Sequence, residues 1–165
     1  MWGTKNHQPI LSKEKRQALF QHIKENARQK EIYIDTINGY IDHVHCLVAL
    51  NADMSISKAM NLVKGESSFW ANKQKIFNFK LEWADEYFAV SVSESIIEQV
   101  RAYILNQEIH HKKTTFANEC KEFLMKSGFE VTAKADIGIS EAIPAMNGGV
   151  NITPSFRMGD NEQKN

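Results

Sequence analysis

Two histidines stand one residue apart in a stretch with the composition of a β-strand, DHVHCLV at residues 42–48. Side chains at i and i+2 project from the same face of a strand, so His43 and His45 could share one metal ion while Val44 points into the core. Neutral imidazole binds first-row divalent metals well, and two such ligands leave positions for a carboxylate or amide, water and a phosphate oxygen. The alternative is a pair of surface histidines with ordinary hydrogen-bond partners.

A tyrosine and a glutamine, Tyr103 and Gln107, are spaced one helical turn apart. At that spacing both side chains lie on one face of a helix, and their polar ends can reach a single site. A tyrosine hydroxyl can attack phosphorus once the phenol loses its proton and a metal withdraws charge from the phosphate. The amide oxygen of Gln107 could be a neutral third ligand of the kind that Mg²⁺ and Mn²⁺ accept. Alternatively, Tyr103 is an interface residue and Gln107 a solvated one.

Seven predicted elements must position these four side chains. Hydrophobic periodicity predicts helices at 13–30, 56–75 and 94–112, with Ser12, Ser55 and Ser93 as their N-caps, and a shorter helix at 116–126. Alternation and β-branched residues predict strands at 31–38, 43–50 and 87–92. This order predicts an α+β fold, a ferredoxin-like or RRM-like antiparallel sheet covered by helices, with the tyrosine on a C-terminal helix.

The composition predicts one domain in a cytoplasmic protein. A chain of 165 residues with 42% hydrophobic content suits a single core. Cys46 and Cys120 are too few for a disulfide framework and predict reduced thiols. No apolar run approaches the roughly 18 to 20 residues of a membrane span, and the amino terminus lacks a signal-peptide pattern. We expect the domain to cover residues 1–134 and residues 135–165, with their adjacent glycines and polar finish, to be a flexible tail.

The combination of the histidine pair on a strand with Tyr103 and Gln107 on a later helix resembles the single-tyrosine HUH transposases. These enzymes mobilise small insertion sequences as single strands. The likeness covers most of the chain. Its four motifs, in order, are WGTKNHQPIL at 2–11, DHVH at 42–45, LVKGESS at 62–68, and YILNQE with HHKK at 103–108 and 110–113.

The resemblance implies a divalent-metal site for Mg²⁺ or Mn²⁺ formed by His43, His45 and Gln107, and a 5′-phosphotyrosine at Tyr103. It also implies a homodimer whose tyrosine helix can act on the other subunit's histidine pair. The substrates would be single-stranded DNA with hairpins, recognised by shape, backbone contacts and stacking. Since the 20 basic and 20 acidic residues balance, DNA contacts must be local. The candidates for phosphate contacts, each alternatively an ordinary solvated lysine, are Lys64, Lys112 and Lys113.

The chain departs from the family pattern at its start. Family members usually open with a full strand before the segment corresponding to residues 2–11, so we expect a shortened first strand at the centre of the sheet. That expectation, with the neutral charge, favours an alternative function as a catalytically inactive or host-recruited DNA hairpin-binding protein. A further alternative is an unrelated metal hydrolase that uses only the histidine pair and stays active after Tyr103→Phe.

Overall fold

The computed structural model describes residues 1–126, in which helices cover an antiparallel three-stranded sheet. The α+β class predicted from the sequence is therefore confirmed. The flexible tail predicted for residues 135–165 lies outside the described part of the chain, as does the end of the predicted domain. The strands are β1 (Trp2–Gly3), β2 (Ile32–Gly39) and β3 (His43–Leu50); the helices are α1 (Lys13–Gln29), α2 (Ile56–Lys73), α3 (Ile97–Leu105), α4 (Gln107–His110) and α5 (Phe116–Lys126).

The sheet has the spatial order β1-β3-β2, with β2 and β3 forming a hairpin. The hairpin register runs from Ile32 opposite Leu50 to Gly39 opposite Val44, and an irregularity at Ile34 to Thr36 shifts it. On its other side, β1 is flanked by residues 82–88, which run antiparallel to it. The bonds are Ala84 N to Gly3 O at 2.9 Å, Lys5 N to Glu82 O at 2.8 Å and Phe88 N to Met1 O at 2.8 Å.

This arrangement places residues 82–88 where a ferredoxin-like fold has its fourth strand, and it places the short β1 in the middle. The prediction of a strand at 87–92 is wrong, because these residues form no strand. The pairing with the β1 side of the sheet begins five residues earlier, at Glu82. The bonds to the β1 side of the sheet are spread over residues 82–88 and involve only Phe88 of the predicted strand, because pairing depends on the neighbouring chain and not on local alternation.

The apolar side of α1 packs against β2 and α2 and supplies much of the core. Leu19, Phe20, Ile23 and Ala27 recur at helical spacing and are all buried. The predicted cap Ser55 accepts a bond from the Lys58 amide and so starts α2. The predicted caps Ser12 and Ser93 make no such side-chain bond. None of the described helices is both long and apolar enough to cross a membrane.

The predicted helix at 94–112 is not continuous. Its first turn, Glu94–Ile96, is a 3-10 helix, and Asn106 separates α3 from α4. The Asn38 side chain of β2 donates to the Leu105 carbonyl at 2.9 Å, and the Asn106 side chain donates back to Ala102 O at 2.8 Å. These side-chain bonds compete with the regular backbone ladder and interrupt the helix between Tyr103 and Gln107.

Gly39 allows the close approach of the two hairpin strands beside the histidine pair. A Cβ atom at this position would lie 2.1 Å from the His43 carbonyl oxygen. We predict that Gly39→Ala lowers the free energy of unfolding by about 3 kcal/mol, because the backbone itself must shift. Urea unfolding of the variant and the wild type measures this loss.

Gly65→Ala is the matched control for this substitution. A Cβ at Gly65, inside α2, meets nothing within 4 Å. Alanine should therefore stabilise the protein by about 0.5 to 1 kcal/mol through its helix propensity. Equal effects of the two substitutions would contradict the steric argument.

Candidate active site

The histidine pair lies on one face of β3 and is buried. His43 is 0% exposed and His45 is 4% exposed, while Val44 between them belongs to the core. The two rings meet edge to face, with centroids 5.1 Å apart. The alternative that these are ordinary surface histidines is therefore wrong.

Both imidazoles can present a free nitrogen to a ligand. Nδ1 of His43 lies 2.7 Å from Oδ1 of Asp42, an arrangement in which a carboxylate accepts a hydrogen bond from Nδ1 and directs Nε2 towards a ligand. Burial lowers the pKa of His45 well below its usual value, so this ring is neutral. Neutral imidazole is the form that binds metal.

Gln107 and Tyr103 reach the histidine pair in spite of the helix break. Oε1 of Gln107 is 3.4 Å from Nε2 of His43, and its amide nitrogen donates to the Tyr103 carbonyl at 3.3 Å. The Tyr103 ring stands edge to face against His45, with centroids 5.7 Å apart. The structure thus brings together all four residues singled out in the sequence, while their chemical roles stay predictions.

Two further side chains belong to this cluster and were missed by the sequence analysis. Oε2 of Glu119, on α5, lies 3.3 Å from Nε2 of His45 and 3.4 Å from Nε2 of His111. Nε2 of His111 also lies 3.1 Å from Oε1 of Gln107. Burial raises the pKa of Glu119 to about 7 and lowers the pKa of His111 to about 4.

A sequence signal for Glu119 was available in α5. Phe116 and Cys120 lie three residues before and one residue after Glu119, and all three side chains are buried. An acidic residue within the apolar stripe of an amphipathic helix is unusual, because burying a carboxylate is costly without a partner. His111 belongs to the HHKK motif, in which only the lysines had been considered.

The donor set fits a divalent metal ion. The ligand atoms of His43, His45 and Glu119 all lie within 4.8 Å of one another. Two neutral imidazoles with amide and carboxylate oxygens suit Mn²⁺ and related ions. Among the described residues, Oε1 of Glu119 is buried and has no hydrogen-bond partner, as expected of an atom that faces a site for a cation.

Comparison with known proteins adds the family. Residues 1–107 match the family described as "Transposase IS200 like". The chain belongs to the IS200-like transposase family. This membership makes it a protein of DNA transposition, and the matched region holds the histidine pair, Tyr103 and Gln107. The helix α5 with Glu119 lies beyond that region.

One solved structure similar to this IS200-like family member is that of a proposed transposase from Deinococcus radiodurans R1. The two sequences are 26% identical, the TM-score is 0.48, and the alignment covers 64% of this chain and 85% of that one. No curated protein matches this transposase-family chain in sequence. The family assignment rests on the match over residues 1–107.

The three lysines predicted to contact phosphate lie in different settings. Nζ of Lys64 donates to the Asp85 carbonyl at 2.9 Å, which links α2 to residues 82–88, and burial lowers the pKa of Lys64. Lys112 and Lys113 are exposed in the turn between α4 and α5, beside His111. Contact with DNA stays a prediction for all three, and the position of Lys112 and Lys113 next to the site suits it better.

Ion pairs hold α3, which carries Tyr103, and α4, which carries Gln107, against the rest of the domain. Arg101 on α3 donates to Asp35 of β2 through Nε at 2.9 Å and Nη2 at 2.6 Å. On α4, Glu108 accepts from Lys13 at 2.8 Å and from the buried Arg16. These contacts fix Tyr103 and Gln107 relative to β2 and α1.

We predict that Asp35→Asn weakens the attachment of α3 to β2 and makes the free energy of unfolding less dependent on pH in the acid range. Bonds from Arg101 lower the pKa of Asp35 to about 2, below its usual 3.8. A carboxyl group whose pKa is lower in the folded state than in the unfolded state stabilises the fold at pH values above its unfolded pKa. This contribution is lost as the pH falls through its folded pKa. Since Asp35 is 21% and Arg101 37% exposed, the loss at pH 7 should be about 1 kcal/mol.

Thermal unfolding followed between pH 7 and pH 2 measures this prediction. The difference between wild type and Asp35→Asn should be constant above about pH 5 and vanish towards pH 2. Glu98→Gln removes the other, exposed carboxylate partner of Arg101 and is the control, with little expected effect. Parallel curves for wild type and Asp35→Asn down to pH 2 would contradict the assignment.

Proposed function

We propose that this transposase-family protein cleaves and rejoins single-stranded DNA at hairpin-bearing element ends, with Tyr103 as the nucleophile and a divalent metal ion, Mg²⁺ or Mn²⁺, as cofactor. The observation that supports this most is the packing of the Tyr103 ring against His45, 5.7 Å between centroids, in a cluster of metal-binding side chains. His43, His45 and Gln107 would hold the ion. When bound, it would withdraw electron density from the scissile phosphate.

In the proposed reaction the phenolic oxygen of Tyr103 forms a bond to phosphorus and gives up its proton. The bond from phosphorus to the 3′ oxygen breaks, and that oxygen leaves with a proton as a free hydroxyl. A 5′-phosphotyrosine then preserves the energy of the phosphodiester bond. Attack by a 3′ hydroxyl on this phosphotyrosine restores the phenol and rejoins the strand.

The proposed site must open for DNA to reach it. His43 and Gln107 are fully buried, and Phe116 of α5 stacks flat on the His43 ring with centroids 4.2 Å apart. A phosphate can approach these side chains only when the Phe116 ring swings away from His43. The short α5 begins directly after the turn that carries Lys112 and Lys113, which would then flank the incoming strand.

We further propose that the active form is a homodimer. Leu105 and Ile109, on either side of the helix break, each leave 61% of their surface exposed. Exposed large apolar residues beside a catalytic cluster suit an interface with a second copy. In the monomer Tyr103 lies next to His45 of its own chain, and a dimer could retain this pairing or exchange the tyrosine helix. Light scattering of the purified protein tests the dimer directly.

The experiment that tests the catalytic proposal detects the phosphotyrosine. Full-length protein is incubated with a hairpin-bearing single strand, labelled at its 3′ end, in Mn²⁺ or in EDTA. The proposal predicts a labelled band that migrates with denatured protein only when metal is present. A strand labelled at its 5′ end should give a shortened free product without labelled protein.

The outcomes separate the proposed enzyme from its alternatives. Hairpin binding that is unchanged by metal, with no covalent band, would instead support a non-catalytic hairpin-binding protein. Repeated cleavage without any covalent band, retained in Tyr103→Phe, would support a metal hydrolase that uses the histidine pair alone.

A further inference from the structure

We propose that Glu119 is an additional metal-binding residue, supplied by helix α5 from beyond the region that matches the family. This inference rests on the proposed function, since it concerns the same metal site. It changes the donor set from three neutral groups to one that includes a carboxylate. The helix α5 then becomes part of the active site instead of a covering element.

The position of Glu119 is central to the cluster. Its Oε2 lies 3.3 Å from Nε2 of His45, 3.4 Å from Nε2 of His111 and 3.7 Å from Nε2 of His43. Oε1 of Gln107 approaches the same nitrogen of His43 to 3.4 Å. Five residues, from β3, α4, α5 and the turn between α4 and α5, therefore direct their donor atoms to one small volume.

Among the side chains that the structure describes, Glu119 forms no direct ion pair with a lysine or arginine. Its side chain is 2% exposed and its ion-pair partners there are all histidines, while the positive charge of the Met1 amino group acts on it without a direct ion pair. Its Oε1 atom has no hydrogen-bond partner among these residues, although Nε2 of His110 lies 3.5 Å away. Buried carboxylates are normally paired with a cation or coordinate a metal.

A carboxylate also suits the ion better than neutral ligands alone. Hard divalent cations prefer oxygen donors, and two histidines with one carboxylate form a ligand set found in several metal enzymes. With Glu119 bound, metal binding should also hold α5 against the sheet. Metal should then raise the thermal stability of the folded chain.

The test measures Mn²⁺ binding to the full-length protein by calorimetry, without DNA. We expect Glu119→Gln to weaken Mn²⁺ affinity by roughly 10- to 100-fold, because loss of a direct ligand should cost at least as much as loss of an outer contact. Glu25→Gln changes an exposed carboxylate on α1 and is the control, with unchanged affinity expected. His43→Ala serves as the variant that loses the site.

Thermal unfolding separates a ligand from a merely structural carboxylate. If Glu119 binds the ion, metal-free Glu119→Gln should unfold at the same or a higher temperature than wild type, since a costly buried carboxyl is gone, while its Mn²⁺-induced shift shrinks. A lower metal-free transition with an unchanged Mn²⁺ shift would overturn the inference in favour of a structural role.

The calorimetric outcomes distinguish this inference from the proposed function. Equal or tighter Mn²⁺ binding by Glu119→Gln, with binding still lost in His43→Ala, would overturn the role of Glu119 and leave the proposed enzyme intact. Absence of Mn²⁺ binding by the wild type, together with absence of the covalent band, would overturn both.

Discussion

Tyr103→Phe is expected to abolish the covalent protein–DNA adduct, a loss on the order of 10³-fold or more. Phenylalanine keeps the ring that packs against His45 but lacks the oxygen that bonds to phosphorus. Fold, metal affinity and hairpin binding should therefore stay at wild-type levels. Denaturing electrophoresis of the labelled adduct measures the loss, and calorimetry with Mn²⁺ shows that the metal site is intact.

A matched tyrosine elsewhere controls for this result. Tyr33 is an exposed phenol on β2, and Tyr33→Phe should leave the adduct unchanged. Residual adduct in Tyr103→Phe above a few per cent of wild type would show that another residue is the nucleophile. Tyr40, which stacks on His111 with centroids 5.1 Å apart, would be the next candidate to replace.

The second large effect is expected from the histidine pair. His43→Ala should reduce Mn²⁺ affinity by on the order of 10²-fold or more, because it removes one of the two imidazole ligands on β3. It also removes the ring that Asp42 and Gln107 contact. Because the variant no longer holds the metal ion, the covalent adduct should also be lost. Hairpin binding through phosphate contacts should persist, since it does not use this side chain.

Because His43 is fully buried, its replacement also leaves a cavity, so a gentler variant is needed. Asp42→Asn keeps the His43 ring and removes only the carboxylate that lies 2.7 Å from its Nδ1, and it should weaken Mn²⁺ binding by roughly 10-fold. His22→Ala is the control, since His22 bonds to Glu66 and stacks on Trp70 away from the pair. Loss of Mn²⁺ affinity in His22→Ala equal to that in Asp42→Asn would contradict the assigned site.

The sequence was sufficient for features that depend on local geometry. The strand at 43–50 was predicted with the bounds that β3 has, because a short, largely apolar run that follows the break at Gly39 is typical of a buried strand. Pleating alone placed His43 and His45 on one side. The cap at Ser55 likewise depends on atoms three residues apart.

Only the tertiary structure decided the features that depend on distant partners. Asn38 donates a hydrogen bond to the Leu105 carbonyl and interrupts the helix that periodicity had predicted to be continuous, and β1 pairs with residues 82–88 instead of the strand predicted at 87–92. Glu119 reaches His45 across 74 positions of the chain. Spacing rules describe neighbours within one helix or strand, whereas these contacts form because packing brings separate elements together, and no local pattern contains that information.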